Sequence, residues 1–260
     1  MKKLLSIIMV ALIALSFASC KEEKLSFVEQ IKKEGKLIVL TASGFAPFEY
    51  LDEQGNVTGV DMEISKAIAD KLGVTLEIVD MDFNSIVDSL KNGKGHIAAA
   101  GMSARPDREE QIDFSDSYYN TQLSVVAKTG SGITPETIGG KKIAFQQGTT
   151  SHSYLDENYA DNSELLSFNY NADAIAALNS GNAECVVMDT LTAQNFVTVN
   201  AGALEIVGVL ETGEEEIYCI GIPEGEKEFQ TIVNEVINEM VSSGKIDELV
   251  DYHNEKSAAQ

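Results

Sequence analysis

The amino-acid sequence predicts an α/β protein of two lobes, each a mostly parallel sheet flanked by helices, joined by two crossing strands. Strand and helix patterns alternate twice along the chain, in two units of about 90 residues. One extended segment separates the two units, and a second follows the later unit. Strands connected through helices form parallel sheets with right-handed crossovers, so each unit predicts one sheet.

Composition limits the functions that are open to this chain. The protein has 260 residues, of which 44% are hydrophobic and 23% are charged, as in ordinary globular proteins. Its formal net charge is −22, and neutralising nucleic-acid phosphates requires a basic face. We therefore expect no nucleic-acid partner, and the charge also argues against a polybasic membrane-surface protein.

The first 19 residues predict a secretory signal peptide. Lys2 and Lys3 precede the almost wholly apolar segment 4–17, which as a helix spans roughly 21 Å and is too short for the ~30 Å bilayer core. The following Phe17-Ala18-Ser19-Cys20 resembles a bacterial lipobox, although Phe17 replaces the usual leucine. We expect lipidation of Cys20, with ordinary cleavage beside an incidental cysteine as the alternative.

In the first unit, short apolar runs alternate with amphipathic ones. Apolar runs of four to eight residues are typical of buried strands, and spacing of three and four residues is typical of helices. The predicted elements are strand 36–41, helix 61–72, strand 74–79, helix 84–90 and strand 96–100.

The second unit repeats this order and is followed by helices. Its predicted elements are strand 142–145, helix 151–159, strand 164–168, helix 172–180, strand 185–188 and helix 190–198. Extended segments are predicted at 118–128 and 216–222, and helices at 227–242 and, shorter, from residue 245.

The simplest layout returns the C-terminal helices to the first unit, so the chain passes between the lobes twice. Two lobes joined by two strands form a hinge with a cleft between them. The predicted segments are a signal peptide (1–19), a lipidated tether (20–24), lobe 1 (25–118 and 218–258) and lobe 2 (119–217, with hinge strands at both ends).

Cysteine and histidine give little sign of redox or metal chemistry. Cys185 and Cys219 both lie in strand-like apolar runs, and we interpret them as small buried residues. Neither has CxxC spacing, and the three histidines form no recognisable ligand pattern. We predict neither a metal nor a cofactor.

Residues suited to binding a free amino acid follow several of the predicted strands. Ligands of open α/β sheets bind at the carboxyl ends of the strands. Arg108 can form a bidentate pair with a carboxylate, to which backbone N–H groups near Thr150 add. Asp189 can accept from an ammonium group, and Phe45 can cover the ligand's side chain.

Each of these residues also has an ordinary structural interpretation. Asp189 precedes a helix and is a good N-cap. Arg108 would be a solvated side chain in a charged loop, and Phe45 and Phe48 would be core residues. The ordered occurrence of the whole set at successive strand ends favours the binding site.

Six segments resemble the bacterial extracellular solute-binding proteins of polar amino-acid ABC transporters. The resemblance extends over nearly all of residues 25–255, in order and with ordinary spacing. The segments are 45–50 (FAPFEY), 59–64 (GVDMEI), 101–108 (GMSARPDR), 113–119 (DFSDSYY), 148–150 (GTT) and 188–190 (MDT).

This resemblance implies a type II periplasmic binding protein whose lobes close on the ligand. By position, Arg108 matches the arginine that holds the α-carboxylate, and Asp189 matches the aspartate that holds the α-amino group. The other matching positions are Gly101 and Ser103 (backbone and hydroxyl contacts), Thr150 (a second carboxylate contact), Phe45 and Phe83 (packing on the ligand) and Gln146 (lining the pocket).

Two positions depart from the family pattern. Ala42 stands where members that bind basic or amide side chains often have an acidic residue, which argues against lysine, arginine or histidine as the ligand. Arg105 replaces a residue that is often threonine, and it is either solvated, paired with Asp107, or a positive charge at the cleft mouth.

We therefore expect a monomeric, lipid-anchored protein on the extracytoplasmic face of the membrane. It would capture an amino acid and deliver it to the membrane subunits of an ABC importer. One alternative is a ligand-binding sensor; another is an enzyme of the same fold, such as a dehydratase. Glu49 is the nearest candidate for the acid or base of an enzyme, and its ordinary interpretation is structural.

Overall fold

The computed structural model describes residues 25–213 and 216–259. The predicted signal peptide and Cys20 lie outside these residues. Within the described ranges, no helix has the length and apolar character needed to cross a membrane. The same residues contain no cluster of three His, Cys, Asp or Glu side chains that could hold a metal ion.

The first lobe is built around a five-stranded sheet with the strand order β4-β1-β5-β12-β6. Its elements up to the first crossing are α1 (Phe27–Glu34), β1 (Lys36–Thr41), β2 (Tyr50–Leu51), β3 (Val57–Thr58), α2 (Val60–Leu72), β4 (Thr75–Asp80), α3 (Ile86–Lys91), β5 (Ile97–Ser103), α4 (Pro106–Glu109) and β6 (Asp113–Thr121). After the second crossing come β12 (Glu216–Ile222), α8 (Lys227–Ser242) and α9 (Lys245–Ala258).

The second lobe contains another five-stranded sheet, in the order β11-β7-β10-β8-β9. Its elements are β7 (Leu123–Lys128), β8 (Lys142–Gln146), α5 (Thr150–Tyr159), β9 (Glu164–Phe168), α6 (Asn171–Ser180), β10 (Cys185–Asp189), α7 (Thr190–Val199) and β11 (Leu204–Val209).

Each sheet contains one strand that runs against its neighbours. In the first sheet, β1 pairs in parallel with β4 and β5, whereas β12 is antiparallel to both β5 and β6. In the second sheet, β10 pairs in parallel with β8, whereas β7 is antiparallel to both β10 and β11. The reversed strand of each sheet is the one that enters from the other lobe. The predicted fold class is confirmed.

The chain changes sheets at Gln122, between β6 and β7, and returns after β11. The predicted extended segment 118–128 is therefore two strands that belong to different sheets. The lobe boundaries proposed at residues 118 and 218 stay a prediction, because β6 and β12 pair within the first sheet along their lengths up to Thr121 and from Glu216.

Apolar side chains fill both faces of each sheet, as the strand period of two requires. In β1, Leu37 and Val39 belong to the cluster beneath α2 and α8, while Leu40 belongs to the opposite cluster with Ile86 of α3. In β10, Val186 and Val187 likewise enter opposite clusters of the second lobe. Helices on both faces thus hold the strand ends in fixed positions.

The two described cysteines lie in different lobes. Cys185 is on β10 and Cys219 is on β12, and both are buried free thiols. Burial raises the pKa of each thiol to about 12. Their interpretation as small buried residues is confirmed.

Candidate functional site

A cavity lies between the lobes, with about 340 Å³ of space between the protein atoms that surround it. All eight residues predicted as ligand contacts line it, and their roles toward a ligand remain predictions. The first lobe contributes Ala42, Phe45, Glu49, Phe83, Ala100, Gly101, Ser103 and Arg108, and the second contributes Gln146, Thr149, Thr150 and Asp189.

The strand ends explain why these residues meet. Ser103 ends β5, Gln146 ends β8 and Asp189 ends β10, while Ala42 directly follows β1. The carboxyl ends of parallel strands lie at one edge of a sheet, and the two sheets face each other with these edges across the cleft. Sequence spacing alone therefore located this part of the site.

Arg108 is buried and fixed at the junction of the lobes. Its side chain lies in α4, and the residue is only 4% exposed, so its interpretation as a solvated side chain is wrong. Nη1 donates to the carbonyl oxygen of Ser103 at 2.7 Å, and Nη2 donates across the cleft to that of Gly148 at 2.9 Å. Its guanidinium carbon lies 5.3 Å from the centre of the Phe83 ring, in the range of a cation–π contact.

Burial, and next the neighbouring charge of Arg105, lower the pKa of Arg108 to about 9, so the guanidinium remains charged at neutral pH. Arg105 itself donates to both carboxylate oxygens of Asp107 at 2.9 Å. The paired interpretation of Arg105 is therefore the one that the structure bears out, and Arg105 does not line the cavity.

Asp189 occupies the N-cap position of α7, yet its side chain makes no capping hydrogen bond. Instead, the hydroxyl of Tyr218 donates to Asp189 Oδ1 at 2.7 Å. Burial is the main cause that raises the pKa of Asp189 to about 7, and the charge of Glu216 adds to it. The carboxyl group therefore faces the cavity as an acceptor rather than serving the helix.

The N-terminus of α5 reaches the cavity from the second lobe. Thr149 caps this helix, because its Oγ1 accepts from the N–H of His152 at 3.3 Å. Thr150 is the first helical residue, and the first N–H groups of a helix have no partner within it. Such a terminus is suited to bind an anion.

Gln146 is held by its own lobe. Its Nε2 donates to the carbonyl oxygen of Asn169 at 3.0 Å, and its Oε1 accepts from Asn171 at 2.8 Å. These contacts fix the amide while the side chain still lines the cavity, and its second N–H and the second lone pair of Oε1 retain capacity for a ligand.

Gly101 and Ser103 spend their donors on protein acceptors. The N–H of Gly101 donates to Asp61 Oδ2 at 2.8 Å, and Ser103 Oγ donates to Glu216 Oε2 at 3.0 Å. The Gly101 N–H is therefore not available to a ligand, and Ser103 Oγ retains only its capacity to accept. Gly101 also has φ +51°, and a Cβ there would lie 2.5 Å from the Phe45 ring.

Glu49 is the cavity residue that sequence reasoning failed to assign to a ligand. It is 1% exposed, and neither carboxyl oxygen receives a hydrogen bond from an N–H or hydroxyl group of the described residues. Burial and then the charges of Asp61, Asp189 and Asp80 raise its pKa well above the usual value. Its position in the FAPFEY run, an acid among apolar residues, is the sequence signal that pointed to it. Ala42, Ala100 and Thr149 complete the lining.

The comparisons with known proteins agree with this architecture. Residues 37–256 match the profile of the bacterial extracellular solute-binding proteins, family 3. The arginine-binding extracellular protein ArtP of Bacillus subtilis is 30% identical over 253 residues, covering 96% of both chains. A probable histidine-binding protein of Campylobacter jejuni is 28% identical over 258 residues, also covering 96% of both chains.

Solved structures give the same result. An amino acid ABC transporter substrate-binding protein, AbpA of Streptococcus pneumoniae, bound to L-arginine, superposes with a TM-score of 0.84 at 30% identity, covering 88% of this chain and 99% of that chain. A mutant of ArgBP from T. maritima superposes with a TM-score of 0.80 at 34% identity, covering 86% and 97%. With the profile match over most of its length, the chain belongs to the bacterial extracellular solute-binding proteins, family 3, as an amino-acid-binding protein of the ABC transporter type.

Proposed function

We propose that the protein captures a cationic amino acid, with arginine as the first candidate, and delivers it to an ABC importer. The observation that carries the choice of ligand is Glu49, a buried carboxyl group that lines the cavity and receives no hydrogen bond from any N–H or hydroxyl group of the described residues. A buried carboxyl group ionises only beside a compensating positive charge, and a guanidinium or ammonium group supplies that charge. The names of the arginine-binding relatives support the same choice.

The backbone end of the ligand would be held between the lobes. Arg108 and the N-terminus of α5 would bind the α-carboxylate, and Asp189 would accept from the α-ammonium. A charge pair at 4 Å is worth ~4 kcal/mol at an effective dielectric of 20. Two such pairs reach the ~8 kcal/mol of micromolar affinity before desolvation and ordering costs are subtracted.

The ligand's side chain would lie against Phe45 and Phe83 with its charge on Glu49. This assignment reverses the expectation drawn from Ala42. The acidic residue that pairs with the ligand's positive charge need not occupy position 42, because Glu49, seven residues further along the chain, lines the same cavity as Ala42. The charges also balance, since Glu49 and Asp189 are the acidic residues in the lining and Arg108 is the basic one.

The lobes are already in contact around this cavity. Tyr170 donates to Asp82 Oδ1 at 2.8 Å, and Thr192 donates to the carbonyl oxygen of Ala46 at 3.1 Å, each across the lobes. A ligand that touches both lobes adds its own contacts only in this closed arrangement. It would therefore shift the population toward the form that a transporter recognises.

Membership of an extracellular family implies a site of action outside the cytoplasm. We infer that lipid on Cys20 holds the protein, as a monomer, at the membrane beside the importer subunits. The compared relatives are named as binding proteins, which supports capture without chemical conversion of the ligand.

Replacing Cys20 with alanine should move the protein from the membrane fraction to the medium or periplasm while leaving ligand binding intact.

Calorimetry of the purified protein with each common amino acid tests the ligand. Arginine, or another cationic amino acid, should bind most tightly, and at 100 times its dissociation constant it should stabilise the fold by ~2.7 kcal/mol. Tighter binding of a neutral or acidic amino acid would refute the choice of ligand. Recovery of a chemically altered ligand after incubation would favour the enzyme alternative.

A further inference from the structure

The buried carboxyl groups of Asp61 and Asp189 both interact electrostatically with that of Glu49 at the cavity, and N–H and hydroxyl donors serve only the two aspartates. Asp61 accepts from the N–H of Gly101 at 2.8 Å and from the hydroxyl of Tyr118 at 2.7 Å. Asp189 accepts from the hydroxyl of Tyr218 at 2.7 Å. Glu49 receives no hydrogen bond from any N–H or hydroxyl group of the described residues.

This distribution of donors decides which group carries a proton. Burial raises the pKa of Asp61 to about 6, and hydrogen bonds from Tyr118, Gly101 and the carboxyl group of Glu49 oppose the rise. The pKa of Glu49 is raised well above its usual value by burial first, then by the charges of its three acidic neighbours, and also by the hydrogen bond that its protonated form donates to Asp61. Two interacting carboxyl groups do not both ionise in such a site, and the one without donors stays neutral.

We propose that Glu49 is protonated in the ligand-free cavity and exchanges its proton for the positive charge of the ligand's side chain. The inference rests on the proposed function, since it requires a cationic ligand. No covalent bond changes. The carboxylic acid loses its proton to water, and the resulting carboxylate pairs with the incoming guanidinium or ammonium group.

Several other titratable groups lie near Glu49, and their protons must be distinguished from its own when ligand binding is measured. Asp61 lies on α2, Tyr118 and Tyr218 on the hinge strands, Asp80 at the end of β4, Asp189 at the end of β10, and Arg108 across the cavity. Asp189 has a pKa of about 7 and would meet the α-ammonium of every amino acid. Its proton is therefore released by cationic and neutral ligands alike, whereas the Glu49 proton is released only by a cationic side chain.

Arginine and citrulline separate these two contributions, because they share a shape and differ in the charge of the terminal group. Isothermal titration calorimetry of the purified protein at pH 7, in phosphate and in Tris, gives the protons released per ligand bound. Arginine should release about one proton more than citrulline. At pH values below the raised pKa of Glu49, arginine binding requires loss of the proton. Arginine affinity should therefore increase about tenfold for each unit by which the pH is raised, in addition to any change seen with citrulline.

The variant Glu49→Gln should abolish the difference in proton release and most of the preference for arginine. The matched control Glu53→Gln removes an exposed glutamate from the same region and should leave both unchanged. Infrared difference spectra of the native protein supply an independent readout, in which arginine should remove a carboxylic-acid carbonyl band that citrulline leaves in place.

The outcomes separate the inference from the proposed function. Arginine that binds with the same proton release as citrulline, and without loss of the infrared band, overturns the inference and leaves the function standing. A difference that persists in Glu49→Gln also overturns it, because another carboxyl group then supplies the proton. Failure of arginine and other cationic amino acids to bind overturns the proposed function and the inference together.

Discussion

Replacing Arg108 with alanine should weaken amino-acid binding by roughly 100-fold to 10,000-fold. Arg108 already donates to Ser103 and Gly148, and its remaining N–H groups are the ones available to the ligand's carboxylate. Hydrogen bonds to charged groups contribute ~1.5–3 kcal/mol each, so a bidentate pair is worth about 3–6 kcal/mol. Every ~1.4 kcal/mol corresponds to a factor of ten in affinity.

Calorimetry with arginine measures this loss, and two further variants define its origin. Arg105→Ala removes a neighbouring guanidinium that pairs with exposed Asp107 outside the cavity, and it should change affinity by less than about fivefold. Arg108→Lys keeps the charge but not the planar pair of donors, so its affinity should fall between those of native protein and Arg108→Ala.

Thermal unfolding of the ligand-free variants checks that each one folds. The reasoning is refuted if folded Arg108→Ala binds arginine within about tenfold of the native affinity, or if Arg105→Ala loses as much as Arg108→Ala. Either result would mean that the carboxylate is held elsewhere, for example by the N-terminus of α5 alone.

Three other perturbations test separate features. Gly101→Ala should push the Phe45 ring aside, lower the free energy of unfolding by ~1–3 kcal/mol and weaken arginine binding. The control Gly35→Ala places its Cβ in open space at a φ of +73° and should leave binding unchanged. Equal arginine affinities in both variants would contradict this. Tyr170→Phe removes the interlobe hydrogen bond to Asp82 and should speed ligand release by about fivefold. An unaltered release rate in stopped-flow measurements would show that this bond does not hold the lobes closed on the ligand. Asp189 has a raised pKa in the folded protein, so without ligand its protonated form should contribute to the free energy of unfolding fully below about pH 4. That contribution should be lost as the pH rises through about 7. Identical pH profiles of thermal unfolding in native protein and Asp189→Asn would contradict this.

Much of the secondary structure followed from local patterns. Strand 164–168, the extended segment 216–222 and the amphipathic helix 227–242 have the bounds that their sequence patterns predicted. Helix α1 was missed although Ser26 and Glu29 form a capping box before it and Gly35 ends it. Strand β11 was also missed, because Gly208 interrupts its apolar run, at the point where its pairing with β7 shifts register.

The hinge was harder to read, because an extended chain gives no local sign of changing sheets. Residues on both sides of Gln122 have strand character, and no glycine or proline separates β6 from β7. Only the pairing of β6 with β12 and of β7 with β10 shows that they belong to different lobes. The length of α9, predicted as short, likewise depends on its packing against α8 and the second lobe's α7, where Asn195 donates to Ser257 at 2.7 Å.

The sequence by itself determined the two-lobed α/β fold and the residues at the strand ends. The periodicity of apolar residues predicts the strands and helices, and a parallel sheet brings the carboxyl ends of its strands to one edge. It placed Arg108 and Asp189 in one site without any coordinates. Only the tertiary structure decided how the buried acids differ, since Tyr118 and Tyr218 come from distant hinge strands and donate to Asp61 and Asp189 but not to Glu49. Which carboxyl group receives a donor is a question of three-dimensional neighbours, and no spacing along the chain encodes it.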